Sequence, residues 1–309
     1  MKIAFVFPGQ GSQSAGMLDA FGGNAAVADV LHRAGAALGQ DLAALIANGP
    51  AEELNLTTNT QPVMLTAGAA IYAAWTAAGG RLPDVMAGHS LGEYTALVAA
   101  GAMSLEDGVR LVRIRADAMQ SAVPVGQGGM AAILGLDDDA VRRACAEAAQ
   151  GEVVEAVNFN APAQVVIAGH KAAVERACAA AKAAGAKRAM PLPVSAPFHS
   201  SLLRPAADVL AAALGDIALV APKVPVINNV DVASPTEPAQ VRDALVRQAW
   251  HPVRWVETVQ AMKAQGVTHI VECGPGKVLA GLVKRIDSDI VGLAITDPAS
   301  LEAALAACS

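Results

Sequence analysis

The chain has 309 residues, enough for one large α/β domain or for a core domain carrying a smaller one. Apolar residues make up 54% and charged residues only 16%, which excludes a disordered chain and argues against a nucleic-acid-binding one, since both need charged surfaces. A formal net charge of −6 argues against general polyanion binding, while leaving room for a local basic patch that serves an acidic partner.

Residues 3–7 form an apolar run that ends at Pro8-Gly9-Gln10-Gly11; too short for a signal peptide, it reads as a first strand. The loop through Gln13, rich in small residues and carrying two amides, leaves the strand where α/β proteins place ligand groups, although a plain glycine turn would look the same. Alanine-rich helices are expected at 25–38 and 40–48. The uncharged stretch from Val63 to Gly80 reads as a buried core helix over 63–78 rather than a membrane span, with Pro62 in its first turn. Val85-Met86-Ala87-Gly88 is a short strand that turns through His89-Ser90-Leu91 into a helix reaching Ala100, with Gly101 as its cap. Leu105, Val109, Val112, Ala116 and Met119 step by four and three along one face of a helix over 105–121. Arg110 points well away from that stripe, whereas Arg113 and Arg115 lie near its opposite edges, where either could reach inward or snorkel over solvated surface.

After a glycine-rich break at Pro124 to Gly129, the pattern is strand 130–136, helix 138–149, strands 153–159 and 164–168, helix 171–183 and strand 187–191. This βαββαβ order is that of a ferredoxin-like module, expected as an inserted subdomain over 125–195 within a large α/β domain made of 1–124 and 196–309. Asn158 and Asn160 lie at the end of its second strand, where local sequence suggests that they satisfy turn backbone. A helix at 202–213, strands at 223–229, 268–273 and 289–295, and a helix at 253–265 complete the large domain, whose sheet is expected to be parallel. Cys273-Gly274-Pro275-Gly276-Lys277 lacks the spacing of a phosphate loop and reads as a tight turn before a helix. The four cysteines have neither zinc-ligand nor disulfide-framework spacing, so reduced structural thiols are expected, and together these features point to the cytoplasm.

The chemistry centres on Gly88-His89-Ser90-Leu91-Gly92. A serine on a sharp strand-to-helix turn projects its hydroxyl outward, and the N–H groups and dipole of the helix start favour an oxyanion beside it. The plain alternative is a βα turn in which Ser90 only caps the helix. A nucleophilic serine needs a base. His89 sits on the strand side of the turn, expected as packing or as a cleft wall; His32, His170 and His269 fall in or beside regular elements. His199 and His251 lie in irregular, proline-containing segments, and local sequence narrows the base to these two.

These residues, in this order, carry a resemblance that covers essentially the whole chain: Phe7-Pro8-Gly9-Gln10-Gly11-Ser12-Gln13, Thr60-Gln61-Pro62, Gly88-His89-Ser90-Leu91-Gly92-Glu93-Tyr94, Arg115, Asn158-Phe159-Asn160, His199 and Glu272-Cys273-Gly274-Pro275-Gly276. The chain resembles the malonyl-CoA:acyl carrier protein transacylases of fatty acid synthesis. The resemblance implies Ser90 as nucleophile, His199 as base, the Gln248 main-chain carbonyl as the group orienting the imidazole, and the Gln10 and Leu91 amides as the oxyanion hole. It also implies that Arg115 pairs with the malonyl carboxylate, with Gln61, His89, Asn158 and Phe198 around the substrate. Phe198 departs from the small residue many housekeeping members carry before the histidine, and is similar to the Ala-Phe-His pattern of malonyl-selective polyketide synthase domains.

The expected activity is therefore ping-pong transfer of malonyl from malonyl-CoA, through malonyl-Ser90, to the phosphopantetheine thiol of an acyl carrier protein, in a monomer with no metal and no redox cofactor. A free-standing acyltransferase loading a polyketide carrier would use the same chemistry. A serine esterase of the α/β-hydrolase type would continue Ser, acid, His and carry an oxyanion loop such as His-Gly-Gly-Gly, neither of which is visible. A non-catalytic scaffold would be expected to have lost Ser90, His199 or Arg115.

Overall fold

The computed structural model describes residues 1–194 and 196–309, so the expected boundary at residue 195 lies outside the described residues. Strand β1 (Lys2–Phe7) is buried from its second residue onward, as befits a central strand covered on both faces. A 3₁₀ turn at Asp19–Phe21 leads to α1 (Ala25–Leu38), α2 (Leu42–Asn48), α3 (Ala51–Leu54) and α4 (Thr57–Ala77). Asn24 and Asp41 cap α1 and α2 by accepting backbone N–H bonds. Helix α4 begins at Thr57 rather than near residue 63, so Pro62 lies inside it and not in its first turn. The proline deprives one carbonyl of its donor, a cost outweighed by burial of most of the helix on all sides. Among the described residues no helix is long and apolar enough to cross a membrane.

Strand β2 (Val85–Gly88) runs into α5 (Gly92–Ala99), which ends at Ala100 and Gly101, the glycine taking φ 71°. Helix α6 (Leu105–Ser121) buries all five residues of its expected stripe. Then come β3 (Gly128–Leu134), α7 (Asp138–Ala149), β4 (Val154–Ala161), β5 (Gln164–His170), α8 (Lys171–Ala183) and β6 (Arg188–Pro191). These strands form an antiparallel sheet in the order β4-β5-β3-β6. Because side chains alternate across a strand, Ala131, Ile133, Val165 and Ile167 pack under α7 and α8, while Met130, Val166 and Ala168 point to the opposite face. Strand β4 continues two residues beyond its expected end, which places Asn158 and Asn160 in the strand and not in a turn.

A 3₁₀ turn at Ser201–Leu203 precedes α9 (Arg204–Gly215), β7 (Val226–Ile227), α10 (Pro238–Gln248), α11 (Trp255–Ala264), β8 (Val267–Cys273), α12 (Val278–Ile286), β9 (Val291–Ile295) and α13 (Pro298–Cys308). Strand 223–229 shrinks to two residues, and α10 has no counterpart among the expected elements, although Pro238 marks its first turn. The second sheet is five-stranded and parallel, ordered β7-β2-β1-β8-β9. The carboxyl ends of β1, β2 and β7 thus lie side by side, at the edge where open α/β sheets hold ligands. At the end of β8, Gly274 and Gly276 both have positive φ, and Glu272 accepts the Ala280 N–H, as a tight βα turn requires. All four cysteines are free.

The passage from β2 to α5 is tight. A Cβ on Gly88 would fall 1.8 Å from the Gly92 carbonyl carbon, and one on Gly92 would fall 2.0 Å from the Phe7 oxygen. Both obstacles are backbone and cannot swing aside. Gly88→Ala is expected to lower stability by at least about 3 kcal/mol in urea unfolding; a loss below about 1 kcal/mol would show that the turn can open to admit a side chain.

Candidate active site

Ser90 stands at the apex of the β2–α5 turn with φ 52°, a left-handed conformation rare outside glycine. Asn229, just beyond β7, maintains it: its side-chain oxygen accepts the Ser90 N–H at 2.8 Å, and its amide nitrogen donates to the Gly88 carbonyl at 2.7 Å. The strain at the turn is held by its neighbours rather than relaxed.

His199 lies between β6 and α9, also at positive φ, 64°. Its Nε2 is 2.6 Å from Ser90 Oγ and its Nδ1 is 2.9 Å from the Gln248 main-chain carbonyl. A carbonyl oxygen can only accept, so Nδ1 carries the proton and Nε2 is free to accept the Ser90 O–H. Burial, and next the nearby Arg115 cation, push the imidazole down to about 3, so it is neutral at physiological pH. His251, the other candidate left open by local sequence, packs at a tilt against Trp250 and turns its Nδ1 to the Arg247 carbonyl. The structure brings His199, not His251, to the serine.

Arg115 is 1% exposed, on the buried face of α6. Its Nη1 donates to Gln61 Oε1 at 2.8 Å, its Nη2 to Gln248 Oε1 at 2.9 Å and to Ser90 Oγ at 3.2 Å, and its guanidinium lies 5.2 Å from the Tyr94 ring centroid. Arg113 is half-buried and donates to Gln40 and Asn59, while Arg110 is exposed. Of the two edge arginines, Arg115 is the one drawn inward. Among the described residues, no carboxylate comes within salt-bridge distance of it; its hydrogen-bond acceptors are neutral oxygens.

These groups open into a cleft of about 210 Å³ between the edge of the parallel sheet and the outer face of the small antiparallel sheet. Gln10, Gln61, Leu91, Asn158 and Phe198 all line it. His89 forms part of its wall, packed edge-on to Trp255 with Nε2 2.7 Å from Asn160 Oδ1, and burial lowers its pKa. The main-chain N–H groups of Gln10 and Leu91 have no acceptor among the described residues. No group of three or more His, Cys, Asp or Glu among the described residues is placed to hold a metal ion.

Two supporting residues, Asn229 and Glu93, have no role legible in local sequence, and Gln248, expected to act through its carbonyl, engages its side chain equally. Gln248 Nε2 donates to the Ser90 carbonyl at 2.8 Å and to Glu93 Oε2 at 2.9 Å. The motif containing Glu93 was in plain view; nothing local indicates that a carboxylate there is buried against residues 136 and 155 positions away.

The acyl transferase domain family matches residues 4–296 of this chain. The malonyl CoA-acyl carrier protein transacylase of Salmonella typhimurium is 58% identical, over 98% of this chain and 99% of that protein. Among solved structures, the acyl-carrier-protein S-malonyltransferase of Burkholderia pseudomallei superposes with a TM-score of 0.98 at 67% identity, over 99% of this chain and 100% of that one. A malonyl-transacylase solved in complex with a type II PKS acyl-carrier protein superposes with a TM-score of 0.98 at 52% identity, over 99% and 100% of the two chains.

Gln248→Ala retains the main-chain carbonyl that faces His199 but removes partners of both Arg115 and Glu93. Stability should fall by roughly 3 kcal/mol or more in chemical denaturation, since buried charges lose their hydrogen bonds. An unchanged denaturation midpoint would show that other groups satisfy those charges.

Proposed function

Because this chain belongs to the acyl transferase domain family, we propose that it transfers malonyl from malonyl-CoA to the phosphopantetheine thiol of an acyl carrier protein, through a malonyl ester on Ser90. The observation that carries this reading is Arg115: a buried guanidinium with only neutral acceptors, 3.2 Å from Ser90 Oγ and open to the cleft. Such a cation favours an acyl group that brings its own carboxylate.

In this reading His199 Nε2 takes the Ser90 proton as Oγ attacks the thioester carbonyl, and the Gln10 and Leu91 amides face the oxyanion. Collapse of the tetrahedral intermediate breaks the C–S bond, and the thiol of CoA leaves with the proton from His199. The carrier thiol then enters the cleft and the same steps run in reverse order, with Gln61, His89, Asn158 and Phe198 bounding the acyl group. Held by a carbonyl rather than an acid, His199 needs no triad carboxylate. Nucleophile, base and cation all come from side chains, so the scheme invokes no metal or redox cofactor. The complex of a similar transacylase with a PKS carrier keeps a polyketide carrier as a second possible recipient.

The separate apolar clusters under the two sheets support a division into a catalytic unit, 1–124 and 196–309, and an inserted unit, 125–195. The same reading takes the chain as a cytoplasmic monomer. Exposed cations at Lys187-Arg188 and Lys284-Arg285 are its candidate contacts for an acidic carrier. Charge reversal there should raise KM for the carrier and leave that for malonyl-CoA nearly unchanged; equal effects would remove the docking assignment.

Intact mass after incubation with malonyl-CoA should show a malonyl increment that Ser90→Ala abolishes. Arg115→Ala should lower kcat/KM for malonyl-CoA by roughly 10- to 1,000-fold, while acylation by acetyl-CoA is preserved or improved. Loss of both in proportion would mean that Arg115 supports the fold instead of reading a carboxylate.

The pH dependence follows from His199. Its folded value lies below the ordinary 6.5, so the neutral base persists as pH falls through 6.5 and protonates only toward about 3. The profile of kcat/KM for malonyl-CoA should therefore show no acid limb near pH 6.5. A limb there would show that His199 titrates as an ordinary imidazole.

A further inference from the structure

We propose that Glu93 is the resting counter-ion of Arg115 and takes up a proton from solvent when the malonyl carboxylate arrives, coupling the loading of an anionic acyl group to proton uptake. The inference rests on the reading that this carboxylate pairs with Arg115. Glu93 is not itself a catalytic residue: it reaches the site through Gln248.

Glu93 is 1% exposed and lies one turn beyond Ser90, in the first turn of α5. Its Oε2 accepts the Gln248 side-chain N–H at 2.9 Å and the Asn229 main-chain N–H at 2.8 Å. The opposite end of the same Gln248 amide accepts Arg115 Nη2 at 2.9 Å. A carboxylate and a guanidinium are thus bridged by a single buried amide, which both polarise. No salt bridge to a third group neutralises either one among the described residues.

Charge counting gives the direction. With Glu93 ionised, the buried pair is neutral at rest, and adding a malonyl carboxylate leaves one uncompensated negative charge in a low-dielectric site. With Glu93 protonated, the loaded site is neutral instead. An uncompensated buried charge is costly, so the incoming anion favours the protonated acid. The other titratable groups facing Glu93 do not take over this role. Tyr94, next to it on α5, is pushed up to about 12 and stays neutral; Asp231, beyond β7, is engaged by Arg247; His199, across Arg115, titrates only near 3. Burial raises Glu93 itself to about 7, against the smaller opposing pull of Gln248, Asn229 and Arg115. The group is therefore poised to change state in the physiological range.

The test uses Ser90→Ala protein, which binds thioesters without turnover. Malonyl-CoA and acetyl-CoA, which share the same CoA phosphates, are titrated calorimetrically near pH 7 in two buffers of different ionisation enthalpy. Malonyl-CoA should take up on the order of half a proton more than acetyl-CoA. Adding Glu93→Gln, whose side-chain oxygen is placed to accept the same two N–H bonds, should abolish the excess. Equal uptake for the two thioesters, or an excess that survives Glu93→Gln, overturns the proposal. Should Glu93→Gln fail to fold, the pH series on Ser90→Ala decides: the excess must vanish near pH 5, where Glu93 is already protonated, and a flat profile refutes the coupling. Arg115→Ala separates the premise from the inference. If that substitution affects malonyl-CoA and acetyl-CoA alike, the reading of the site fails; if it is selective but the proton excess does not depend on Glu93, only the counter-ion role fails.

Discussion

The geometry of the site depends on backbone meeting backbone at residues 88–92. Gly88 lies against Gly92, and Gly92 against the Phe7 carbonyl, at separations that exclude any side chain. Only this contact lets the chain turn from a buried strand into a helix within three residues and leave Ser90 at the apex. The conformation is strained, with φ 52° at a non-glycine residue, and Asn229 holds it from the neighbouring strand end by bonds to Ser90 N–H and the Gly88 carbonyl. Every other functional distance is measured from that point.

A second constraint follows from placing Arg115 beside the serine. A guanidinium taken out of water without a directly paired anion costs stability, and here the amide oxygens of Gln61 and Gln248, Ser90 Oγ and the face of Tyr94 stabilise it. Its field, second to burial, helps hold His199 neutral and so able to accept a proton at Nε2. Gln248 connects the parts: its carbonyl fixes the imidazole tautomer, its side-chain oxygen meets Arg115, and its side-chain nitrogen braces the Ser90 carbonyl and Glu93.

The small sheet contributes in a different way. One face is sealed by α7 and α8, and the other, through Met130 and Val166, forms an apolar wall of the cleft together with Leu192, Val194 and Phe198. Glu155 on β4 accepts both the main-chain N–H and the hydroxyl of Ser201 at 2.8 Å, tying this sheet to the chain two residues beyond His199. The wall and the segment carrying His199 are therefore held by the same sheet.

What the sequence determined by itself is whatever is encoded over a few neighbouring residues. The elbow glycines, the stripe on α6, the strand order along 128–191 and the βα turn after Cys273 all follow from period, capping and backbone permissiveness, and each is present. Local reasoning expects α4 over 63–78 with Pro62 in its first turn, because it cannot count the burial that outweighs a proline inside a helix starting at Thr57. It also left Arg113 against Arg115, and His199 against His251, unresolved, since a helical wheel or an irregular segment shows where a side chain could point but not what lies there. Tertiary structure decided those pairs. The groups that hold the site together, Ser90, Glu93, Arg115, His199, Asn229 and Gln248, come from segments up to 158 residues apart, and a buried hydrogen bond between such segments leaves no periodic trace in either. Its partner is defined only once the sheets have packed and water has been excluded.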